Sequence, residues 1–355
     1  MHATSDFIEK LGIRFPIIQA PMAGVSTPKL AAAVSNAGGL GSLGIGSSTT
    51  DQARNMIEQT RRLTGQPFNV NVFCHAPATR DPDREKAWLA HLAPLFRESG
   101  LDTPGQLDEI YRSFLVDDEQ FEMLLELRPA VVSFHFGIPS ADRIACLREA
   151  GIYTMATATN LYEAGLIEQA GIDAIVAQGI EAGGHRGMFN PEATDECLCT
   201  MVLVRLLAAK TTIPIIAAGG IMDGHAVSSL LNLGAAAAQL GTAFVLCPES
   251  AANNAYRENL KSPRATQTRL TAVLSGRPAR GIVNRLITFG EANGSPSPAD
   301  YPLAYDAAKR LSGAASKLGN NEFSAQWAGQ GAPLARELPA AELMSVLFHE
   351  MRIES

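Results

Sequence analysis

The sequence contains no block of lysine or arginine residues. Its formal net charge is −7, with 29 basic and 36 acidic side chains spread over 355 residues. Binding to nucleic acid or to an anionic membrane surface depends on a basic patch or stripe, so neither partner is expected. The opening segment MHATSDFIEKLG also lacks the basic start and apolar run of a secretory signal, because it carries Asp6 and Glu9. We therefore expect a cytoplasmic protein.

Cysteines and long apolar stretches are also scarce. The five cysteines form no paired CxxC motif and leave one over after any pairing, which favours structural or incidental roles, and no metal site is predicted. The longest apolar stretch, LGAAAAQLGTAFVLC, is interrupted by Gln239 and Thr242 and is too short to cross about 30 Å of hydrocarbon. It predicts a buried strand that enters a helix or loop.

Short strand-like runs alternate with segments of helical period along most of the chain. Hydrophobic residues make up 46% of the sequence and charged residues 18%, as is usual for a globular α/β protein. The predicted strands start near Pro16, Leu40, Phe68, Ala130, Ile152, Ile172, Ile213 and Ala235. Eight strands with intervening helices predict a closed TIM-type (β/α)₈ barrel rather than an open doubly wound sheet.

The chain is longer than the roughly 250 residues of a single barrel. We predict the barrel over residues 1–248, with a helical insertion over 74–126 above the face formed by the carboxyl ends of the strands. Residues 249–314 contain five prolines and predict a small capping domain on the substrate side, built of loops and helix. Helices over 315–355 are expected to pack back on the barrel.

Small residues are predicted at the carboxyl ends of two neighbouring strands. Ala218-Gly219-Gly220 ends the seventh predicted strand, and Gln239-Leu240-Gly241-Thr242 ends the eighth. Backbone N–H groups at such turns, aided by a helix N-terminus, can hold a phosphate, and in TIM barrels the loops after strands seven and eight are its usual position. The glycines could instead satisfy tight turns only, and the pattern alone does not decide between the two interpretations.

Three further strand ends favour a ligand site. They are Pro21-Met22-Ala23-Gly24, Asn69-Val70-Asn71 and Gln178-Gly179. The carboxyl ends of a parallel barrel meet on one rim, so a flat heterocycle joined to the phosphate would lie across that rim. Asn71 and Gln178 could each offer an amide donor and acceptor, which suits an isoalloxazine ring. A hydrogen-bonded core amide is the alternative for Asn71.

One histidine stands in a glycine-rich segment directly after the sixth predicted strand. The segment is QGIEAGGHRG, and the histidine is His185. An imidazole can accept or donate a proton near neutral pH, so this position suits a base beside an acidic carbon. It could equally hold its own loop in place. His135, at the end of the fourth predicted strand, is a second rim histidine and is expected beside the bound ring or the substrate.

Six segments together resemble the class I nitronate monooxygenases, once called 2-nitropropane dioxygenases. The similarity spans most of the chain. It rests on QAPMAGVSTPKLAAAVSNAGGLGSLG, NVNVFCHAPA, SFHFGIPS, QGIEAGGHRG, AAGGIMDG and QLGTAF. The resemblance implies that FMN is held noncovalently on a TIM barrel and that a smaller domain helps to enclose the substrate.

The same resemblance implies roles for individual residues. His185 would be the catalytic histidine, and Met22 and Ala23 would touch the flavin through their backbone. The other residues that would bind FMN are Asn71, Gln178, Gly183, Gly220, Gln239, Leu240, Gly241 and Thr242. The residues in segments similar to the family's substrate side are Tyr111, Tyr256, Tyr301, Tyr305 and Lys309. Aromatic packing between barrel and cap is the alternative role for the tyrosines.

The reaction implied by the resemblance is oxidation of alkyl nitronates, particularly propionate 3-nitronate. O₂ would convert them to a carbonyl compound with release of nitrite or related nitrogen oxides. One-electron transfer from the electron-rich nitronate to FMN is the implied chemistry. A positive charge on Lys309, or as a weaker candidate on Arg186, would receive a substrate carboxylate.

The same residues bear on other functions that such a barrel can have. Flavin-dependent enoyl-acyl carrier protein reductases and NAD(P)H:quinone reductases share a similar EAGGH loop, but NVNVFCHAPA and SFHFG favour the nitronate group. A barrel of the inosine monophosphate dehydrogenase type would need a nucleophilic cysteine where His185 stands. A noncatalytic barrel that binds a phosphorylated metabolite stays an alternative, because a fold does not fix a function.

Overall fold

The computed structural model describes residues 2–352 and contains eleven strands. Met1 and residues 353–355, which belong to the predicted end segments, lie outside the described residues. The strands are β1 (Ile17–Gln19), β2 (Gly41–Gly44), β3 (Phe68–Phe73), β4 (Val131–His135), β5 (Tyr153–Ala158), β6 (Ala174–Gln178), β7 (Gly184–His185), β8 (Ile215–Ala218), β9 (Ala237–Leu240), β10 (Thr268–Thr271) and β11 (Ala279–Ile282). All except β7, β10 and β11 belong to one parallel sheet.

This sheet closes into a barrel. Its strand order is β1-β9-β8-β6-β5-β4-β3-β2, and a parallel bridge between Ile18 and Leu40 joins the two ends. There the N–H of Gln19 donates to the carbonyl of Leu40 at 2.9 Å. Closure leaves no unpaired strand edge and brings all the carboxyl ends to one rim. The TIM-barrel prediction is confirmed, and each barrel strand begins within two residues of its predicted start.

Thirteen α-helices accompany the strands in the described chain. They are α1 (His2–Leu11), α2 (Pro28–Asn36), α3 (Thr50–Leu63), α4 (Pro82–Glu98), α5 (Asp118–Leu127), α6 (Ala141–Glu149), α7 (Leu161–Gln169), α8 (Thr200–Ala208), α9 (Gly224–Asn232), α10 (Asn254–Lys261), α11 (Arg285–Gly290), α12 (Leu303–Lys317) and α13 (Ala340–Arg352). None of them is both long and apolar enough to cross a membrane.

Short polar side chains start five of the helices around the barrel, namely α2, α3, α6, α7 and α9. In each, the side chain before the first turn accepts the N–H of the residue three positions later, which otherwise has no partner inside the helix. These residues are Thr27, Thr49, Ser140, Asn160 and Asp223. The sequence therefore sets where each helix begins, and so how long each rim loop is.

The amino end of the barrel is filled with apolar side chains. Phe7 and Leu11 of α1 pack in one cluster with Ile18, Met155 and Ile216 from three barrel strands. Burial of such side chains removes apolar surface from water and stabilises the closed end. A ligand can therefore reach the barrel interior only from the opposite rim.

A second apolar cluster lies outside the barrel, beside that rim. Trp88 and Phe96 of α4 pack with Val273, Leu303 and Leu311, so the segment between β3 and β4 shares a core with the residues after β9. Helix α5, by contrast, packs between α3 and α6 in the ring of barrel helices. We refer to the structure built on this second cluster as the cap.

The cap contains a small antiparallel sheet, where the sequence predicted only loops and helix. Strands β10 and β11 form a hairpin. Strand β11 also pairs with β7, with Ala279 opposite His185 and Arg280 opposite Gly184. The loop after β6 is thus hydrogen-bonded to the cap. Strand β7 is only two residues long, too short for a periodic pattern to reveal it.

Candidate active site

A cavity of about 380 Å³ opens between the carboxyl rim of the barrel and the cap. Its volume lies in the range of about 300–1,000 Å³ that small-molecule sites occupy. Sixteen of the residues predicted for the site line it: Met22, Ala23, Asn71, Tyr111, His135, Gln178, Gly183, His185, Gly220, Gln239, Gly241, Thr242, Tyr256, Tyr301, Tyr305 and Lys309. Leu240 is the exception, because its side chain is buried in the barrel core.

One end of the cavity is lined by backbone. Gly219 and Gly220 follow β8 with φ angles of 124° and 69°, in the left-handed region that favours glycine. Within the described chain, the N–H groups of Gly220 and Ile221 donate no hydrogen bond. Unpaired N–H groups at a turn provide a binding place for an anion.

Gly241 and Thr242 border the same end from β9. Gly241 has an ordinary φ of −104°, and a methyl group added there would lie 3.5 Å from the Ala20 Cβ and 3.9 Å from the Met22 Sδ. The Thr242 hydroxyl oxygen accepts the N–H of Gly329 at 3.0 Å, which leaves the hydroxyl proton available to a ligand.

The helix that follows the Gly219-Gly220 turn does not contribute a free N-terminus, contrary to the prediction. The N–H of Gly224 at the start of α9 donates to a Glu350 carboxylate oxygen at 2.8 Å, and that of Ala226 donates to Asp223 at 2.8 Å. Two acidic side chains already satisfy this end of the helix. The free N–H groups at this end of the cavity therefore belong to the glycine turn itself.

Asn71 presents a carbonyl oxygen at the rim. Its Nδ2 donates to the backbone oxygen of Ser133 at 3.1 Å and to the Ser133 hydroxyl at 2.9 Å. The two acceptors fix the amide orientation, because a nitrogen must face them. Asn71 is thus both a hydrogen-bonded core amide and a residue that lines the cavity.

Gln178 and His135 both hold the backbone of His185. The Nε2 of Gln178 donates to the His185 carbonyl at 3.0 Å, and the Nε2 of His135 donates to the same oxygen at 3.1 Å. The other ends of the two side chains contact Gly187 N–H and the Thr157 hydroxyl. The polar atoms of His135 are therefore used by the scaffold, although its ring borders the cavity.

The His185 ring stands among aromatic side chains. The ring centroids of Trp327, Tyr301, Phe136 and Tyr305 lie 5.0, 5.5, 5.6 and 6.0 Å from its own. Burial, followed by the nearby His135, Arg277 and His75, lowers the pKa of His185 to about 3. An imidazole with this pKa is neutral at physiological pH, so one of its ring nitrogens is unprotonated.

The cavity lining also carries one cation beside two phenols. The Lys309 ammonium lies 4.9 Å from the Tyr111 ring centroid and 5.4 Å from that of Tyr305. Burial lowers the pKa of Lys309, and burial also raises the pKa of Tyr305 to about 12, so that the phenol stays neutral. Among the described residues that line the cavity, Lys309 is the only lysine or arginine.

Arg186 is not free to receive a substrate carboxylate, as the weaker prediction proposed. Its side chain is 2% exposed. The guanidinium forms a bidentate ion pair with Asp195, with N–O distances of 2.7 and 2.9 Å, and it also donates to the carbonyl of Gln178. Bidentate pairing uses the face of the guanidinium that would otherwise bind a carboxylate. This correction leaves Lys309 as the cationic group of the site.

Three residues near His185 have no counterpart among the predictions. Trp327 lines the cavity. The Ser275 hydroxyl lies 2.9 Å from the His185 Nε2. The Arg277 guanidinium lies 4.3 Å from the Phe136 ring centroid. All three come from the chain after β9, at least 90 positions from His185 in the sequence, and no local motif connects them to it.

A family model described as nitronate monooxygenase matches residues 4–350 of this chain. The chain belongs to the nitronate monooxygenase family. The resemblance predicted from the sequence is thereby confirmed, and the protein is an oxidoreductase.

Individual relatives agree with this membership. A nitronate monooxygenase of Pseudomonas aeruginosa is 58% identical, over 98% of this chain and 99% of the relative. Among solved structures, a nitroalkane oxidase from Streptomyces ansochromogenes has a TM-score of 0.90 and 40% identity, covering 98% of this chain and 97% of that one. FabK from Thermotoga maritima has a TM-score of 0.74 and 29% identity, covering 98% and 96%.

Proposed function

We propose that this member of the nitronate monooxygenase family binds FMN in the rim cavity and uses O₂ to oxidise alkyl nitronates, with propionate 3-nitronate as the preferred substrate. The products would be a carbonyl compound and nitrite or related nitrogen oxides. The observation that carries the proposal is the polarity of the cavity. Unpaired backbone N–H groups and a single ammonium group both line it.

The residues present fit FMN. The N–H groups of Gly220 and Ile221 and the Thr242 hydroxyl would hold its phosphate, and the Oδ1 of Asn71 would accept from the ring. A side chain at Gly220 would take a strained φ of 69° and lie 3.1 Å from the Glu181 Cβ. When bound, FMN would supply the electron-accepting ring for the oxidation.

The chain's own residues would bind and orient the substrate. Lys309 would pair with the carboxylate of propionate 3-nitronate, while the neutral Tyr111 and Tyr305 offer hydroxyl groups to anionic oxygens. His185, neutral and held at its carbonyl by two donors, would stand beside the reacting carbon. The aromatic side chains of the cap would keep water away from that carbon.

A charge-specific experiment tests this assignment. We expect Lys309→Met to raise the KM for propionate 3-nitronate about tenfold to a hundredfold, as loss of a hydrogen bond to a charged group implies. The KM for ethyl nitronate, which has no carboxylate, should change by less than about twofold. Steady-state O₂ consumption measures both.

Lys317→Met provides the matched control, because Lys317 lies on the same helix with its side chain exposed. It should leave both KM values unchanged. Equal losses on the two substrates with Lys309→Met would contradict the carboxylate assignment, and no nitronate-dependent O₂ consumption by the wild-type holoenzyme would contradict the proposed function itself.

A further inference from the structure

The hairpin turn between β10 and β11 contacts the His185 ring through Ser275, which is not among the residues that line the cavity. Ser275 lies in this turn and is fully buried. Its Oγ is 2.9 Å from the His185 Nε2. No hydrogen bond joins the other ring nitrogen, Nδ1, to a described residue, and the ring borders the cavity. The two nitrogens therefore face different surroundings.

The hydrogen bonds of Ser275 determine which nitrogen carries the proton. Its hydroxyl donates to the carbonyl of Arg277 at 3.0 Å, and the Arg277 N–H approaches the same oxygen at 3.4 Å. A serine hydroxyl has one proton to donate. With that proton on the Arg277 carbonyl, Oγ can only accept from His185, so the neutral ring carries its proton on Nε2.

The turn is held rigidly against the rest of the cap. Gly276 has a φ of 88°, and a methyl group on it would lie 2.3 Å from the Ala299 carbonyl oxygen and 2.7 Å from the Tyr301 nitrogen. The Arg277 side chain is buried over the Phe136 ring and donates to the carbonyl of Met188. The chain that follows Ser275 is thus closely packed against its neighbours.

We propose that Ser275 is a positioning residue that fixes the Nε2–H tautomer of His185 and so makes Nδ1 the atom that accepts a proton from a neutral nitroalkane. This inference rests on the proposed function. In the step, the bond between the acidic carbon and its hydrogen breaks, and the electron pair forms the C=N bond of the nitronate with negative charge on the nitro oxygens. The proton goes to Nδ1, and the Nε2–H group stays hydrogen-bonded to the Ser275 Oγ.

The tautomer can be measured without any turnover. In the flavin-loaded protein labelled with ¹⁵N-histidine, long-range ¹H–¹⁵N correlation spectra distinguish a protonated from an unprotonated ring nitrogen, and His185→Asn identifies the His185 signals. We expect protonated Nε2 and unprotonated Nδ1 in the wild type. A spectrum with Nδ1 protonated would overturn the proposal. Because this measurement needs no variant of Ser275, it holds even if such a variant misfolds.

Kinetics of Ser275→Ala give the second readout. We expect kcat/KM for a neutral nitroalkane to fall about tenfold, and kcat/KM for the preformed nitronate to change by less than about twofold, since the nitronate has already lost its proton. The His185 signals should move toward a mixture of tautomers. Equal losses on both substrates, or an unchanged tautomer, would contradict the positioning role.

Ser262→Ala is the matched control, because Ser262 accepts the N–H of Arg264 in a similar turn and is not among the residues that line the cavity. It should change neither the spectrum nor the ratio of the two kcat/KM values. The spectrum tests Ser275 even if no nitronate is oxidised, so failure of this inference and failure of the proposed function are distinguishable. A wild-type enzyme that oxidises nitronates but never a neutral nitroalkane would overturn the assignment of Nδ1 as the base.

Discussion

Gly241 is the residue at which the phosphate position can be tested most directly. Its φ of −104° is accessible to any amino acid, and an added Cβ would make only ordinary contacts. Gly220, with a φ of 69°, would be strained by any side chain. A substitution at Gly241 therefore changes the charge beside the predicted phosphate with little change to the backbone.

We expect Gly241→Asp to weaken FMN binding about tenfold or more, because a carboxylate opposes the phosphate in a partly desolvated turn. The neutral variant Gly241→Asn, of nearly the same shape, should retain more FMN. Flavin released on denaturation, identified by chromatography and counted per protein chain, measures the effect. Equal flavin content in the two variants would place the phosphate elsewhere, and release of FAD from the wild type would contradict the cofactor assignment.

Individual residues also differ in how far the sequence could predict them. His185 and Gln178 were predictable at the rim, since both follow a strand of a parallel barrel and all such strands end on one side. Ser275 was not, because its contact with His185 joins positions 90 apart through a hairpin without a local signature. Arg186 was predicted as a possible free cation, and its partner Asp195 could be assigned only from the folded loop.

Among the elements, the hairpin turn of the cap and helix α12 offer a matched pair of glycines. Gly276→Ala places a methyl group 2.3 Å from a backbone oxygen in the left-handed region, so we expect it to lower the free energy of unfolding by about 2 kcal/mol or more. Gly313→Ala lies inside α12 with no atom within 4 Å, and should raise it by about 0.5–1 kcal/mol. Urea unfolding measures both, and a similar change in the two variants would show that the turn is not held as described.

The barrel strands and their helices were predictable as elements because apolar runs and capping residues recur with each βα unit. Strands β10 and β11 were missed. In the folded protein, the Arg280 side chain donates a hydrogen bond to the Ile180 carbonyl, and Gly281 lies against the Trp327 ring. These contacts are tertiary, so the local pattern of residues 268–282 carries little of the strand signal.

For the molecule as a whole, three neutral histidines in and beside the site make stability sensitive to acid. Burial is the main cause that lowers the pKa of His75 and of His135 to about 4, and that of His185 to about 3. Each would titrate near 6.5 in the unfolded chain, so the unfolded state binds more protons below that pH. The contribution of these groups to stability is complete above pH 6.5 and is lost as the pH falls toward 4.

The slope of the free energy of unfolding against pH reports the number of protons taken up on unfolding. Between pH 6.5 and 5, we expect this number to be smaller by about one in His75→Phe than in the wild type. Arg277 helps to lower the pKa of His75, while a backbone hydrogen bond with Tyr111 and the charge of Asp300 oppose this. His349→Gln, at an exposed position, is the control. Urea titrations at several pH values provide the slopes, and an unchanged slope in His75→Phe would mean that His75 already takes up its proton in the folded protein.

We propose that a nitronate, and not a nicotinamide, delivers electrons to FMN in the rim cavity. Anaerobic mixing of the flavin-loaded protein with propionate 3-nitronate, and separately with NADH, tests it through the absorption spectrum of the flavin. We predict a rapid spectral change with the nitronate and none with NADH over the same time. Rapid bleaching by NADH with no response to the nitronate would contradict the proposed function and favour an NAD(P)H-dependent reductase on the same barrel.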